Sequence, residues 1–391
     1  MHRFYILILL IFISAGLSGQ SNLNFSFEYG EHERMCRVYI PDVYDASTPV
    51  PLVISLHGFG GNGPQQQAYD ELGLVADTAG FIIAYPTGYD NVWNAGEDYY
   101  GPWTSEDDVT YISQLIDTLG GMFTIDPSRV YACGMSNGDD MVYRLACELS
   151  NKIAAIASVT GTMITNIYES CEPAYKVPVV HFHGTSDDIS DIDGGPGWVS
   201  LQETISLWKE INDCGAAEKT LLPDFDLMDF CRAYDITRTC SDEVLYKLFL
   251  IKKGGHTWPG SYYDAYTVWS FGRTNGDVNA SVELWRFFNN YTRPEAPVFE
   301  RSALAESMVP PQSHTIRPNP ASSTITIDLA DGGSKEYYIY IYDMNGRSVI
   351  QHKAEAGKEQ VILSISTLPK GVYQINAIHE NELKFARLIK N

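Results

Sequence analysis

Hydrophobic residues fall along this chain in three successive patterns, each predicting a different kind of element. The first is an apolar run over residues 4–13, behind the charged start Met1-His2-Arg3 and ahead of small residues up to Gly19. A charged start, an apolar segment too short to cross a bilayer comfortably and a small-residue stretch predict a signal peptide over residues 1–20. No stable membrane span is expected once it is removed. The second pattern fills residues 21–293, where apolar runs of strand length alternate with stretches of helical period. Strands are expected at 36–40, 52–56, 81–85, 129–133, 153–159, 177–183 and 245–251, and helices at 109–120, 141–150, 201–211 and 280–291. This alternation predicts an α/β fold with a mainly parallel sheet covered on both faces. Runs such as Leu52-Val53-Ile54-Ser55-Leu56 suit strands buried on both sides.

The third pattern follows a change of character over residues 294–314, where Pro294, Pro297, Pro310 and Pro311 interrupt any period and predict a linker. Beyond it the chain alternates strictly. Ile325 and Ile327 alternate with Thr324 and Thr326, and residues 337–342 read Tyr-Tyr-Ile-Tyr-Ile-Tyr. Turn signals at Asp331-Gly332-Gly333, Asn345-Gly346 and Lys370-Gly371 separate the segments. Residues 315–391 are therefore expected to form a small all-β sandwich.

Composition narrows the function classes. Hydrophobic residues make up 45% of 391, enough for a large core, and the formal charge of −22 argues against nucleic acid as a partner. No zinc-type spacing of Cys and His occurs, so neither metal nor cofactor is expected. Seven cysteines in an exported chain make disulfides plausible. Cys147 is expected to pair with Cys171, and Cys214 with Cys231 or Cys240. The odd count leaves at least one thiol free, and Cys133 reads as a buried small hydrophobe.

The most informative run is Gly134-Met135-Ser136-Asn137-Gly138, between an expected strand and an expected helix. A serine flanked by glycines at such a turn is the nucleophile elbow of an α/β-hydrolase fold. Side chains at the flanking positions would clash, and the helix aims its positive end at the reacting oxygen. A serine hydroxyl needs a base, and the base an orienting acid, in the order serine, acid, histidine. Of nine histidines, elimination by region and order leaves His256, on a glycine-flanked loop after an expected strand. The acid should lie after the strand 177–183. Asp187 is chosen over Asp188 and Asp191 because it is close enough to the strand end to be held rigidly. Oxyanion donors are expected to be the N–H of Asn137 and that of Phe59 or Gly58. Trp93, Trp103 and Trp258 fall on expected loops, where flat rings could stack on a substrate or simply pack.

Taken together, Leu56-His57-Gly58, Tyr85-Pro86-Thr87-Gly88, Asp107-Asp108-Val109, Ile125-Asp126-Pro127-Ser128-Arg129, the serine run, His183-Gly184-Thr185-Ser186-Asp187 and Gly255-His256-Thr257-Trp258-Pro259 carry a family likeness. Over about residues 36–288 the chain resembles the polyhydroxybutyrate depolymerase-like esterases, which are similar to feruloyl and acetylxylan esterases of carbohydrate esterase family one. The resemblance implies Ser136, Asp187 and His256 as the triad. One departure is Asp139-Asp140, where the family usually has a small residue after the elbow glycine. Both are expected to point away from the pocket, since a carboxylate facing it would repel an oxyanion.

The C-terminal module resembles the type IX secretion sorting domain, on Arg317-Pro318-Asn319-Pro320-Ala321, Ile341-Tyr342-Asp343-Met344-Asn345-Gly346-Arg347, Leu368-Pro369-Lys370-Gly371-Val372-Tyr373 and Leu388-Ile389-Lys390. That implies export to the cell surface or beyond, with the type IX machinery as a partner. The leading expectation is a secreted serine esterase acting on feruloyl or acetyl esters of plant polysaccharides. A polyhydroxyalkanoate depolymerase is the alternative. Further readings are a non-catalytic polysaccharide-binding protein on a hydrolase scaffold, and a peptidase.

Overall fold

The computed structural model describes residues 21–390 except 31, 99–100, 103, 242–244, 262–270, 294, 296–298, 300–315, 319–320, 330–335, 343–347, 359 and 380–381. The expected signal peptide, most of the expected linker, Trp103 and two of the three turn signals in the C-terminal module lie outside the described residues.

Strands β1 (Ser21–Tyr29), β2 (His32–Ile40), β3 (Val50–Leu56) and β4 (Ile82–Pro86) are followed by a short hairpin, β5 (Glu97–Asp98) and β6 (Gly101–Pro102). Then come β7 (Ile125–Met135), β8 (Ala155–Val159), β9 (Val179–Gly184), β10 (Cys214–Leu221), β11 (Arg232–Cys240) and β12 (Leu245–Lys252). They form one ten-stranded sheet, apart from the hairpin, in the order β1-β2-β4-β3-β7-β8-β9-β12-β11-β10. The six central strands, β4 to β12 in that order, are parallel. Two antiparallel strands close each edge. This is the α/β-hydrolase fold. The edge strands β1, β10 and β11 are not among the expected ones: β1 does alternate, with Leu23, Phe25 and Phe27 buried, whereas all of β10 after Cys214 is exposed, so no apolar face announces it.

Helices are α1 (Gly63–Asp70), α2 (Leu72–Ala79), α3 (Asp108–Met122), α4 (Asn137–Glu148), α5 (Thr165–Ser170), α6 (Leu201–Ile211) and α7 (Ala280–Phe288). Their starts are written locally. Asn62, Asp107 and Asn279 each accept a first-turn N–H, and Ser200 with Glu203 forms a capping box. The central strands alternate their faces. Ile54, Ala132 and Ile156 share one core with Ile112, Leu145 and Trp208, from α3, α4 and α6. Val53, Tyr131 and Ala155 share the other with Leu72 and Phe288, from α2 and α7.

Disulfides join Cys147 to Cys171 and Cys214 to Cys240, so Cys240 and not Cys231 takes the second partner. Cys36, Cys133 and Cys231 are free and buried. The C-terminal module comprises β13 (Ile316–Arg317), β14 (Thr324–Asp328), β15 (Tyr337–Tyr342), β16 (Ser348–Ala354), β17 (Gln360–Ser364), β18 (Gly371–His379) and β19 (Glu382–Lys390). They make two antiparallel sheets, β13-β14-β17 and β16-β15-β18-β19. Ile325, Ile327 and Leu363 from one meet Tyr337, Ile339, Ile341 and Ile375 from the other in a separate core, as the alternation predicts.

Candidate active site

Ser136 lies between β7 and α4, with φ 56° and ψ −126°. Non-glycine residues avoid this region at a cost of about 1–3 kcal/mol. Backbone bonds hold it there: its N–H donates to Val159 O at 3.1 Å, and its carbonyl accepts from the N–H groups of Asp139 and Asp140 at 2.7 and 3.0 Å. The Ser136 side chain makes no capping bond, although it stands at the N-cap. The flanking glycines are sterically required. A Cβ at Gly134 would lie 2.4 Å from Gly138 O, and one at Gly138 would lie 2.4 Å from Leu56 O.

Gly58 lies against the serine: a Cβ added there would sit 3.4 Å from Ser136 Cβ and 4.0 Å from Oγ. The turn is closed by Gly61 N–H donating to Gly58 O at 3.0 Å and Gly60 N–H donating to Asn91 O at 2.9 Å. The Phe59 side chain is exposed. Asn137 begins α4, where first-turn N–H groups have no acceptor within the helix. Its side chain accepts from Trp93 N–H at 2.8 Å and donates to Trp93 O at 3.1 Å.

His57 is a strut that the sequence reading quoted without giving it a role. Its Nε2 accepts the N–H of Gly88 at 3.0 Å, so Nδ1 carries the proton and donates to Gly58 O at 2.8 Å. Burial pushes its pKa down to about 4, which keeps the ring neutral. Trp93 Nε1 donates to the His57 carbonyl at 3.0 Å, and Trp258 Nε1 donates to Ser281 Oγ at 3.0 Å. Both indoles are buried, so their rings brace loops and present no face to a stacking substrate.

The acid follows β9 and the imidazole follows β12, at the same end of the parallel strands as Ser136. His256 Nδ1 donates to Asp187 Oδ2 at 2.9 Å. Asp187 Oδ1 accepts from Ile189 and Ser190 N–H at 3.0 and 2.8 Å. Asp187 is buried, whereas Asp188 and Asp191 are exposed. His256 and Asp187 are thus brought into direct contact. A bond from Ser136 Oγ to the imidazole is not among the hydrogen bonds of the described residues. Sequence reasoning missed Phe271. Its carbonyl accepts His256 N–H at 2.6 Å, its ring centroid lies 6.3 Å from that of His256, and the ring is partly exposed. No local pattern marks it.

Asp139 and Asp140 are both buried. Asp139 lies beside Ser158 and Val159, but neither oxygen makes a hydrogen bond of good geometry. Desolvation, then the neighbouring Asp140, pushes its pKa well above the ordinary carboxylate value. Asp140 Oδ2 accepts Trp198 Nε1–H at 3.3 Å. Asp224, Asp229 and Asp277 converge elsewhere, within 4.8 Å of one another. They tie two loops together: Asp229 and Asp277 accept backbone N–H groups and Asp224 pairs with Arg232.

Comparison with known proteins follows this geometry. Residues 36–197 match the family described as esterase PHB depolymerase, and residues 315–391 match the secretion system C-terminal sorting domain. A bifunctional acetylxylan esterase/xylanase of Neocallimastix patriciarum is 32% identical over 158 residues, covering 40% of this chain and 22% of that one. NocK of Nocardia uniformis subsp. tsuyamanensis, named as an esterase, is 30% identical over 237 residues, covering 54% of this chain and 67% of that one. Feruloyl esterase B of Piromyces equi is 27% identical over 234 residues, covering 56% and 42%. The chain therefore spans from about a fifth to two thirds of the length of these relatives.

Proposed function

The chain belongs to the esterase PHB depolymerase family and carries a secretion-system sorting domain, and from that premise we propose that it is a secreted serine carboxylic ester hydrolase. Ser136 Oγ attacks the ester carbonyl while His256 Nε2 takes its proton. The imidazolium is stabilised by Asp187 and then protonates the departing alkoxide. Water, deprotonated by the same imidazole, hydrolyses the acyl-enzyme and restores the serine. The negative oxygen of each tetrahedral intermediate is held by the N–H of Asn137 and that of Gly58 or Phe59. The observation that carries this reading is the 2.9 Å bond from His256 to a buried Asp187, at the same sheet end as the strained Ser136. Asp139 and Asp140, turned toward Ser158 and Trp198, support a working site.

The test is hydrolysis of a short p-nitrophenyl ester by wild type and by Ser136→Ala, with labelling by a serine-directed organophosphonate. Turnover is expected to fall by several orders of magnitude in the variant, and the label to sit on Ser136. A folded wild type that neither turns over nor labels sinks the reading.

For the substrate we favour feruloyl or acetyl esters of plant polysaccharides, the chemistry named in two of the relatives. The partly exposed ring of Phe271 beside His256, and that of Phe59 next to Gly58, suit an acyl group with an apolar or aromatic face. The family description favours polyhydroxyalkanoate as the second reading. Methyl ferulate, acetylated xylan and polyhydroxybutyrate offered side by side separate the two. The sorting domain supports export by the type IX route.

A further inference from the structure

Beneath the acid loop runs a line of buried polar side chains that the mechanism above does not use. His183 Nε2 lies 2.9 Å from the Ser190 carbonyl and 3.9 Å from Asp187 Oδ2. His183 Nδ1 lies 3.0 Å from His181 Nε2. His181 Nδ1 lies 2.7 Å from the Tyr143 hydroxyl and 2.8 Å from Ser158 Oγ. All four side chains are fully buried.

The protons in this line can be placed one by one. A carbonyl only accepts, so His183 Nε2 carries a proton and donates it to Ser190 O. In a neutral ring Nδ1 is then an acceptor, so His181 Nε2 is the donor facing it. His181 Nδ1 must therefore accept, and a hydroxyl facing it, that of Tyr143 or of Ser158, supplies the proton. Burial lowers the pKa of both rings, consistent with two neutral imidazoles. The groups facing the pair are Asp187 and His256 from the loops, Tyr143 from α4 and Ser158 from β8; Asp139 and Tyr246 lie beside Tyr143. Burial holds the Tyr143 phenol and the Asp139 carboxyl well above their usual ranges.

We propose that His183, with His181 fixing its tautomer, is a positioning residue for Asp187: it clamps the far end of the turn that aims the carboxylate at His256. Asp187 Oδ1 takes the N–H of Ser190 while His183 takes the same residue's carbonyl. The turn is thereby tied back to the strand it left. Strand geometry supplies both rings at once, since residues 181 and 183 share one face and Phe182 packs against Phe249 on the other.

This inference rests on the triad reading, and the experiment separates the two. Wild type and Ser136→Ala are compared first; a Ser136→Ala that keeps wild-type turnover fails the triad whatever His183 does. His183→Leu and His183→Gln then follow, each with a thermal melt. In the leucine variant kcat is expected to fall by about 10–100-fold with KM within about twofold, because a misaligned Asp187 orients the His256 imidazole less well. Gln, whose amide can still donate to Ser190 O, is expected to recover most of the loss. A leucine variant within about twofold of wild type overturns the proposal, as does a glutamine no better than leucine. If leucine does not fold, Tyr143→Phe combined with Ser158→Ala removes both hydroxyls facing His181 Nδ1 and with them the donor that fixes its tautomer. A proton shift through the two rings would then leave Ser190 O without its donor. A fall in kcat of about 3–10-fold supports the proposal and an unchanged kcat overturns it.

Discussion

The N–H of Ser186 donates to the carbonyl of Gly254 at 2.9 Å, one residue before Asp187 and two before His256. Thr185 N–H donates to Ile251 O at 2.9 Å, and Lys253 N–H to Thr185 Oγ1 at 3.0 Å. A Cβ on Gly184 would lie 2.3 Å from Gly254 O, so the two loops pack backbone against backbone. Asp187 and His256 are held in register by main-chain bonds as well as by their own side-chain bond.

Asp187→Asn should therefore keep the loops in place and change only the chemistry. Its amide can still accept from one side, but it offers the imidazole no charge and favours the wrong tautomer. We expect kcat to fall by about 10⁴-fold with KM within a few-fold. Steady-state kinetics on a p-nitrophenyl ester check this; a loss below about tenfold would show that Asp187 is not the orienting acid.

Gly138→Ala forces a methyl group toward the carbonyls of Leu56 and His57, at 2.4 and 2.5 Å. Backbone cannot yield as a side-chain tip does, so about 1–3 kcal/mol or more of stability should be lost. The oxyanion loop should shift with it. Gly195→Ala, which meets nothing within 4 Å, is the control and should melt with wild type.

How far the sequence announced all this differs from residue to residue. Gly134 and Gly138 were legible because a backbone contact permits only hydrogen there. Asp187, singled out as the aspartate nearest the strand end, is the one of the three loop aspartates that is buried and bonded to His256. His181 and His183 were set aside as preceding the acid, because elimination by chain order finds a base and not the struts beneath it. Phe271 was invisible because its place depends on a backbone bond to a residue 15 positions away. For Trp93 and Trp258 the loop position left stacking on a substrate and plain packing both open; both rings are buried and their indole N–H groups are bonded inside. The central strands read well from continuous apolar runs, whereas β10 has no buried face to betray it.

Thiol chemistry should count three cysteines. Cys36, Cys133 and Cys231 are buried, and desolvation raises all three pKa values, that of Cys231 to about 12. Iodoacetamide should label none of them in the native protein and three after unfolding without reductant. Mass spectrometry showing five or seven labelled cysteines would rule out one or both disulfides.

Asp70 should make stability depend on pH. Ser55, Tyr85, Gln66 and the Leu72 N–H all donate to it, yet desolvation dominates and its pKa is raised to about 7. A carboxyl with a raised folded pKa favours the fold while protonated. Its contribution is complete below about pH 4 and is lost as pH rises to about 7, by at most roughly 4 kcal/mol. Asp70→Asn should flatten that slope, with the Ser55 and Tyr85 hydroxyls turning to accept. Unfolding midpoints at pH 5 and pH 8 measure it; equal slopes in the two proteins would contradict it.

Ser136 at φ 56° also sets heat resistance against turnover at a single residue. Glycine accepts this conformation freely, so Ser136→Gly should melt higher than Ser136→Ala, by about 1 kcal/mol, while both are inert. A search for hardier variants that screens survival alone would drift toward glycine at this position and discard the enzyme as it improved the protein.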